Sequence, residues 1–321
     1  MRKTYTRLIF ILLILALLSF EISSIARMED DTNNIFDASF STTPTPYSLS
    51  AQSYKQSSHL QIILEQIFNK FFLSKNSSND TDNDRKIFST AHFDVYVRRD
   101  YYFIDTSWLR LNIEQIYDYE SSRLNKTLPN KINVTFLPPE AGSCAPRGTT
   151  YFEQQPFIFL YVDQNTDDEQ ILAGLAHELG HVFIHYLYPD LSEIALNEGM
   201  ATWIAEDYWT TWKGHSFDDE VRLFLKDNTY LPLYLNQDMT KAYEKSSKCL
   251  ENRDILLTEC ASFIDFLNRK YGSEYLSPLF HIQQPKIINN QRIVYPPDYK
   301  GIYGLELNQL ENEWLRNILE K

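Results

Sequence analysis

Two histidines and a glutamate occur at helical spacing in the segment His177-Glu178-Leu179-Gly180-His181. Residues four apart on a helix project from the same face one turn apart, so both imidazoles can bind one ion. Zinc accepts imidazole nitrogen at about 2.0 Å, and this spacing leaves the glutamate beside the open position of the metal. The pattern therefore predicts His177 and His181 as metal ligands and Glu178 as the general base that activates a water.

The residues on both sides of this motif carry no charge, from Ile171 to Leu175 before it and from Val182 to Ile184 after it. The helix is therefore predicted to be buried while it carries two histidines and a carboxylate within one turn. Such groups are costly to bury unless something compensates them, and a divalent cation does so. The alternative for the bare pattern is a chance match on a buried helix, with histidines that are merely hydrogen-bonded.

A third ligand is predicted at Glu198, at the start of the next predicted helix. Catalytic zinc takes three protein ligands and keeps one open position, and two histidines with one glutamate are a known set. Sixteen residues separate His181 from Glu198, and they include Pro189 and Asp190. This link is long enough to turn the chain and to bring the second helix antiparallel to the first.

Three further expectations accompany this ligand. Gly199 has no side chain, and we expect it to allow a close approach of the two helices at the metal. Glu193 or Glu206 is the alternative third ligand. A separate alternative is that Glu198 binds no metal and is an exposed carboxylate favoured by the dipole at a helix start.

The surrounding elements predict an α+β fold, in which a small mixed sheet lobe is followed by a mainly helical lobe. Apolar alternation and a short apolar run predict strands at residues 93–97, 132–136 and 157–162, with a loop at 138–148. Helical periodicity marks residues 59–73, 104–124, 167–188, 196–209, 218–226, 253–271 and 305–319. A Thr166-x-x-Glu169 capping box predicts the start of the motif helix at about Asp167, and Gly272 is a predicted helix cap.

The amino-terminal end predicts export from the cytosol. Basic residues come first, and the thirteen residues from Leu8 to Phe20 then form an apolar run broken only by Ser19. On a helix this run rises only about 20 Å, whereas a bilayer core is about 30 Å thick. We predict a signal peptide at residues 1–26, a Ser/Thr/Asn-rich stalk with one helix at 27–86, and a metallopeptidase domain at 87–321. The alternative is an uncleaved anchor that holds an extracytosolic domain at the membrane.

Charge and cysteine content restrict the partners and the crosslinks. The net charge of −13 disfavours a nucleic-acid partner, because phosphate neutralisation needs basic surfaces. The chain has three cysteines, Cys144, Cys249 and Cys260. If a disulfide forms, we expect it between Cys249 and Cys260, which are close in sequence; the alternative is three reduced, buried thiols.

The segment His177–His181 followed by Asn197-Glu198-Gly199-Met200-Ala201 resembles the gluzincin signature of thermolysin-like and aminopeptidase N-like enzymes, and most closely that of compact peptidase MA-like domains. The similarity extends over about residues 88–319, with the segments 261–272 and 310–319 resembling later helices of that family. The resemblance implies a zincin-like fold, one zinc ion per chain and hydrolysis of a peptide or protein substrate. It also implies an edge strand along which the substrate lies, expected at residues 157–162.

The sequence also departs from these families. The link between His181 and Glu198 is shorter than in the aminopeptidase N-like group, and its Gly-Ala-Met-Glu-Asn motif is missing. Leu257 occupies the position where those enzymes have an oxyanion-stabilising tyrosine or histidine. Three other residues have side chains that can stabilise an oxyanion, but no motif places them at that position: Tyr243, Tyr151 and His215. The rival function is therefore a catalytically inactive, zinc-containing binding module, although the intact Glu178 favours an enzyme.

Overall fold

The computed structural model describes residues 84–98, 105–139, 146–189, 191, 193–233, 249–281, 286–288, 291–293 and 297–320. The predicted signal peptide, and the predicted stalk up to residue 83, lie outside the described residues, as do Cys144, Tyr243 and the side chain of Cys249. The predicted disulfide between Cys249 and Cys260 is wrong, because both residues lie on a single helix, Cys249–Tyr271, where they are about 16 Å apart along the axis, and a disulfide needs Cα atoms within about 7 Å. Cys260 is a buried thiol. Among the described helices, none combines the length and apolar character that a membrane crossing requires.

A five-stranded mixed sheet forms the first part of the described fold. Its strands are β1 (Asp84–Ser89), β2 (Phe93–Arg98), β3 (Ile132–Leu137), β4 (Gly148–Phe152) and β5 (Pro156–Tyr161). They lie in the order β1-β2-β3-β5-β4, with β2, β3 and β5 parallel and the two outer strands antiparallel to their neighbours. Every residue of the central strand β3 is buried, whereas β4 is an edge strand.

The second part is mainly helical. The helices are α1 (Thr106–Leu124), α2 (Asp168–Leu187), α3 (Ile194–Ile204), α4 (Glu206–Lys213), α5 (Phe217–Asp227), α6 (Cys249–Tyr271), α7 (Ser273–Phe280), α8 (Tyr299–Tyr303) and α9 (Leu307–Leu319). A short hairpin of β6 (Lys286–Ile288) and β7 (Gln291–Ile293) follows α7. The described chain is thus a mixed α+β fold with a small sheet and a mostly helical part.

Two hydrophobic cores meet at α2. One core packs the sheet against α1 and α2, through side chains such as Val134, Ile158 and Leu179. The other joins α3 with the later helices, and Ile184 near the end of α2 belongs to it. Helix α2 therefore lies between the two halves, and its motif faces the junction.

The start of α2 differs in detail from the prediction. Asp167, not Thr166, caps the helix, because its carboxylate accepts the backbone N–H of Gln170. The Thr166 hydroxyl is instead engaged by Asp163, whose backbone N–H it accepts at 3.0 Å. The predicted capping box is therefore wrong, although the helix does begin at the expected place.

Other differences concern elements that the sequence analysis did not resolve. The predicted helix over residues 196–209 is two helices that break at Ala205. Gly272 ends α6 with a φ of 99°, and α7 follows immediately, which was not predicted. Strand β1 begins at Asp84, just before the predicted domain start at residue 87. Strand β4 begins at Gly148, where a loop was expected to end.

Candidate metal centre

Three side-chain atoms from α2 and α3 converge at one point. Nε2 of His177 lies 3.2 Å from Nε2 of His181 and 3.2 Å from Oε2 of Glu198, and the His181 to Glu198 separation is 3.5 Å. Tetrahedral ligands at about 2.0 to 2.1 Å from a zinc ion are about 3.3 to 3.4 Å apart. The three atoms thus have the spacing of ligands around one small cation. Among the described residues they form the one such cluster of His, Cys, Asp and Glu.

The second nitrogen of each imidazole is held by a neighbouring side chain. Nδ1 of His177 lies 3.1 Å from the Thr202 hydroxyl, which donates its own hydrogen to the backbone oxygen of Glu198 at 2.9 Å. Nδ1 of His181 lies 2.9 Å from Oδ1 of Asn197. Both partners therefore accept hydrogen from Nδ1, which leaves the Nε2 lone pairs for a metal.

The electrostatics of the group favour a bound cation. Burial raises the pKa of Glu198, but the adjacent His181 and His177 lower it by more than burial raises it. The net pKa of this carboxyl group is far below its usual range. Burial lowers the pKa of His181, and the Glu198 carboxylate reverses this effect to give a pKa of about 9. A proton on His181 thus neutralises Glu198 at neutral pH, and a divalent cation at the same three atoms would take over that role.

Glu178 is buried beside this group but takes no part in it. Its Oε2 accepts a hydrogen bond from the Thr150 hydroxyl of β4 at 2.7 Å. Gly148 of the same strand packs so closely that an added Cβ would lie 2.5 Å from Oε1 of Glu178. The edge strand therefore fixes the position of this carboxylate, and only a glycine leaves room for it.

The group opens into a cleft of about 610 Å³ that runs between β4 on one side and α3, α4 and α6 on the other. The wall of α2 contributes His177, Glu178 and His181, and Trp209 of α4 faces them. His185 lies one turn beyond His181 and stacks on Phe152 at the end of β4, with ring centroids 3.8 Å apart. The metal group thus lies on the floor of a cleft large enough for several residues of a peptide.

Two glycines permit the helix contacts around the centre. A Cβ on Gly180 would lie 2.8 Å from the backbone oxygen of Ala201, so Gly180 allows α2 and α3 to approach. A Cβ on Gly199 would instead lie 2.5 Å from Cβ of Cys260 on α6. The prediction for Gly199 was therefore wrong, because this glycine faces α6 rather than the metal-bearing helix.

The alternative ligands and the substitute residues lie elsewhere. Glu193 caps α3 through the backbone N–H of Leu196, and Glu206 pairs with Arg123 at 2.6 Å. Tyr151 and His215 do not line the cleft, whereas Leu257 does. The expected edge strand at residues 157–162 is also wrong, because β5 lies between β3 and β4 and the edge is β4.

The sequence analysis missed several residues of the site. Thr150, Thr202 and Gly148 each act through a contact with a residue distant in sequence, and no local pattern marks them. Asn197 directly precedes Glu198 in the motif, so the sequence did indicate that Asn197 lies near the metal ligands.

Comparison with known proteins gives no assignment. No protein-family model matches this sequence, and no curated protein matches it significantly. The functional argument for this chain therefore rests on the geometry and chemistry of the site.

Proposed function

We propose that this protein is a zinc-dependent peptidase of the gluzincin type, with a zincin-like fold, that acts outside the cytosol. One observation carries the proposal: the three converging ligand atoms and the separately held Glu178 carboxylate line the same open cleft. A purely structural metal site has no use for a fixed carboxylate beside the ligands. The extracytosolic location rests on the amino-terminal apolar segment alone.

The donor set supports zinc as the metal. Two imidazole nitrogens and one carboxylate oxygen form the three-ligand set of many catalytic zinc sites, which keep a fourth position for water or substrate. Hard cations such as Mg²⁺ and Ca²⁺ prefer oxygen ligands throughout. The hydrogen bonds from Nδ1 of both histidines orient the rings as zinc ligation requires.

In this proposal His177, His181 and Glu198 hold the zinc, and Glu178 moves the proton. Bound zinc supplies a Lewis acid for the substrate carbonyl and lowers the pKa of the attacking water. Oε1 of Glu178, the oxygen that Thr150 does not engage, accepts the proton as the water attacks the carbonyl carbon. Glu178 then passes this proton to the leaving amine, so that the C–N bond breaks with no net gain or loss of protons.

The substrate would lie along β4 as an extended peptide. This strand pairs with β5 on one side only, and its other side faces the cleft. Unpaired backbone groups at a sheet edge bind an extended chain by strand addition. This arrangement brings one peptide bond over the metal group, next to Glu178.

One observation favours the rival function, a catalytically inactive binding module. The position expected to stabilise the oxyanion is Leu257, which lines the cleft and has no hydrogen-bond donor in its side chain. A module of this kind would bind zinc and peptides without turnover. The two functions differ in one measurable property, which is cleavage.

Digestion of a broad peptide library by the zinc-loaded protein tests the proposal. We expect defined cleavage products by mass spectrometry, their loss after chelator treatment and their return when zinc is added. Zinc binding without cleavage of any peptide would contradict the peptidase and support the binding module.

A further inference from the structure

One carboxylate of α6 bonds to two cations that come from different walls of the cleft. Asp254 accepts hydrogen bonds from the guanidinium of Arg147, which directly precedes β4, and from the ammonium of Lys213, the last residue of α4. The side chain of Asp254 is only 15% exposed, so these charge-assisted bonds are less screened than those of a surface ion pair. Asp254 therefore joins the edge strand, α4 and α6 at one point.

On the side of β4, this contact holds the residue next to Gly148. The backbone oxygen of Arg147 accepts the N–H of Tyr161 at 2.8 Å, so both the main chain and the side chain of Arg147 are held. Gly148 packs against the Glu178 carboxylate, and the Thr150 hydroxyl donates to it at 2.7 Å. A shift of the strand at its start would therefore displace both of the groups that fix this carboxylate.

On the side of α4, the same contact leads to a metal ligand through two indole rings. Nζ of Lys213 lies 3.9 Å from the ring centroid of Trp212, and this ring meets that of Trp209 edge to face at 5.2 Å. The ring of Trp209 lies 5.8 Å from the imidazole of His177. Packed side chains thus connect Asp254 to the part of α4 that faces the metal group.

A second carboxylate, Glu220 of α5, acts on the same charges from a greater distance. It interacts electrostatically with Lys213 and Asp254. Within the described part of the chain, however, it forms no ion pair with Lys213 or Arg147. Glu220 therefore does not replace the bonds that Asp254 makes to the two cations.

We propose that Asp254 is a positioning residue for the proposed peptidase reaction. It holds the start of β4 against α4 and α6, and through β4 it keeps Glu178 in place beside the metal group. The inference rests on the proposed function and adds a residue that is outside the metal group and does not line the cleft. A misplacement of about 1 Å can cost about 100-fold in rate, so a contact away from the reacting atoms can control turnover.

Asp254→Asn tests this role, and Asp265→Asn is the matched control. Asp265 lies on the same helix and also accepts from two donors, Arg269 at 2.7 Å and Trp203 at 3.2 Å, but its partners do not line the cleft. We expect kcat to fall about tenfold or more in Asp254→Asn with zinc content retained, and to stay within about twofold of wild type in the control. Wild-type kcat in the Asp254 variant, or an equal loss in both variants, would overturn the inference.

A double-mutant cycle tests whether Asp254 acts through Arg147. Arg147→Gln removes the same bond from the strand side, and it keeps the inference testable if Asp254→Asn does not fold. Lys213 still pairs with Asp254 in this variant. If one contact carries the effect, kcat of the double variant should be within about twofold of that of the weaker single variant. If the two losses instead multiply, Arg147 has a separate role, such as a substrate contact, and the inference is overturned.

Hydrogen exchange separates this inference from the proposed peptidase activity. The amides of β4 that pair with β5 exchange when the strand opens locally, and mass spectrometry follows this exchange in the zinc-loaded protein without any substrate. We expect exchange in residues 148–152 to be about fivefold faster in Asp254→Asn than in the wild type or in Asp265→Asn. If the wild type cleaves no peptide, the proposed activity fails, and the exchange rate still decides whether Asp254 holds β4. Unchanged exchange in the Asp254 variant would overturn the inference.

Discussion

The hydroxyl of Thr150 lies 2.7 Å from Oε2 of Glu178 and 3.0 Å from the backbone oxygen of the same residue. The edge strand and the motif helix are thus joined at the carboxylate that we propose as the general base. Gly148, two residues earlier, leaves the space that this carboxylate occupies.

A graded loss of activity should follow when this carboxylate is altered. Glu178→Gln keeps the size of the side chain but removes the base, so we expect kcat to fall at least 100-fold while zinc content is retained. Thr150→Val removes only the hydrogen bond, and we expect a loss of about tenfold. Steady-state kinetics with metal analysis checks both variants, and a Gln variant with wild-type turnover would remove Glu178 from the mechanism.

The ligand set predicts metal loss in three variants. His177→Ala, His181→Ala and Glu198→Ala each leave two protein ligands, so each should retain much less than one zinc ion per chain after dialysis. Glu193→Gln is the control, because Glu193 caps α3 and does not reach the three ligand atoms. Normal zinc content in the Glu198 variant would place the third ligand elsewhere.

Zinc affinity should increase with pH. The pKa of His181 is raised to about 9 by Glu198, so below this pH the metal must displace a proton. Displacement of one proton strengthens apparent affinity about tenfold per pH unit, or about 100-fold from pH 6 to pH 8. In the metal-free protein the same ion pair contributes stability that is fully present below about pH 6.5 and lost as the pH rises through about 9.

Competition with a chromophoric chelator, whose own pH dependence is known, measures how the apparent zinc affinity changes with pH. His185→Gln provides the control, because His185 lines the same cleft but is not one of the three ligands, and its slope should match that of the wild type. An apparent dissociation constant that does not change between pH 6 and pH 8 would contradict the prediction.

An added methyl group should reduce activity at Gly148 and leave activity unchanged at Gly174. A Cβ at Gly148 would overlap the Glu178 carboxylate, whereas a Cβ at Gly174 would meet Leu160 at an ordinary distance of 3.6 Å. We expect Gly148→Ala to lower kcat/KM at least tenfold with zinc retained, and Gly174→Ala to keep activity and to gain up to about 1 kcal/mol of stability. Equal activity of the two variants would show that Glu178 has room to move.

The sequence predicted the parts of this site that depend on local periodicity. The motif helix, the buried strand β3 and the segment with Glu198 all show patterns within a few residues. Strand β4 was missed because Gly148 to Phe152 has no apolar alternation, as an edge strand with a half-open surface needs none. Thr150 and Gly199 act through distant partners, and the chain alone does not indicate which helix or strand those partners occupy.

Helix α2 contributes side chains to both hydrophobic cores, with Leu179 in one and Ile184 in the other. Neither half of the described fold therefore retains a complete core when α2 is removed. The sheet and the helical part should consequently melt together as one cooperative unit. Zinc at the junction then stabilises the whole unit by mass action. The metal should therefore raise the midpoint of a single unfolding transition and not split that transition into two.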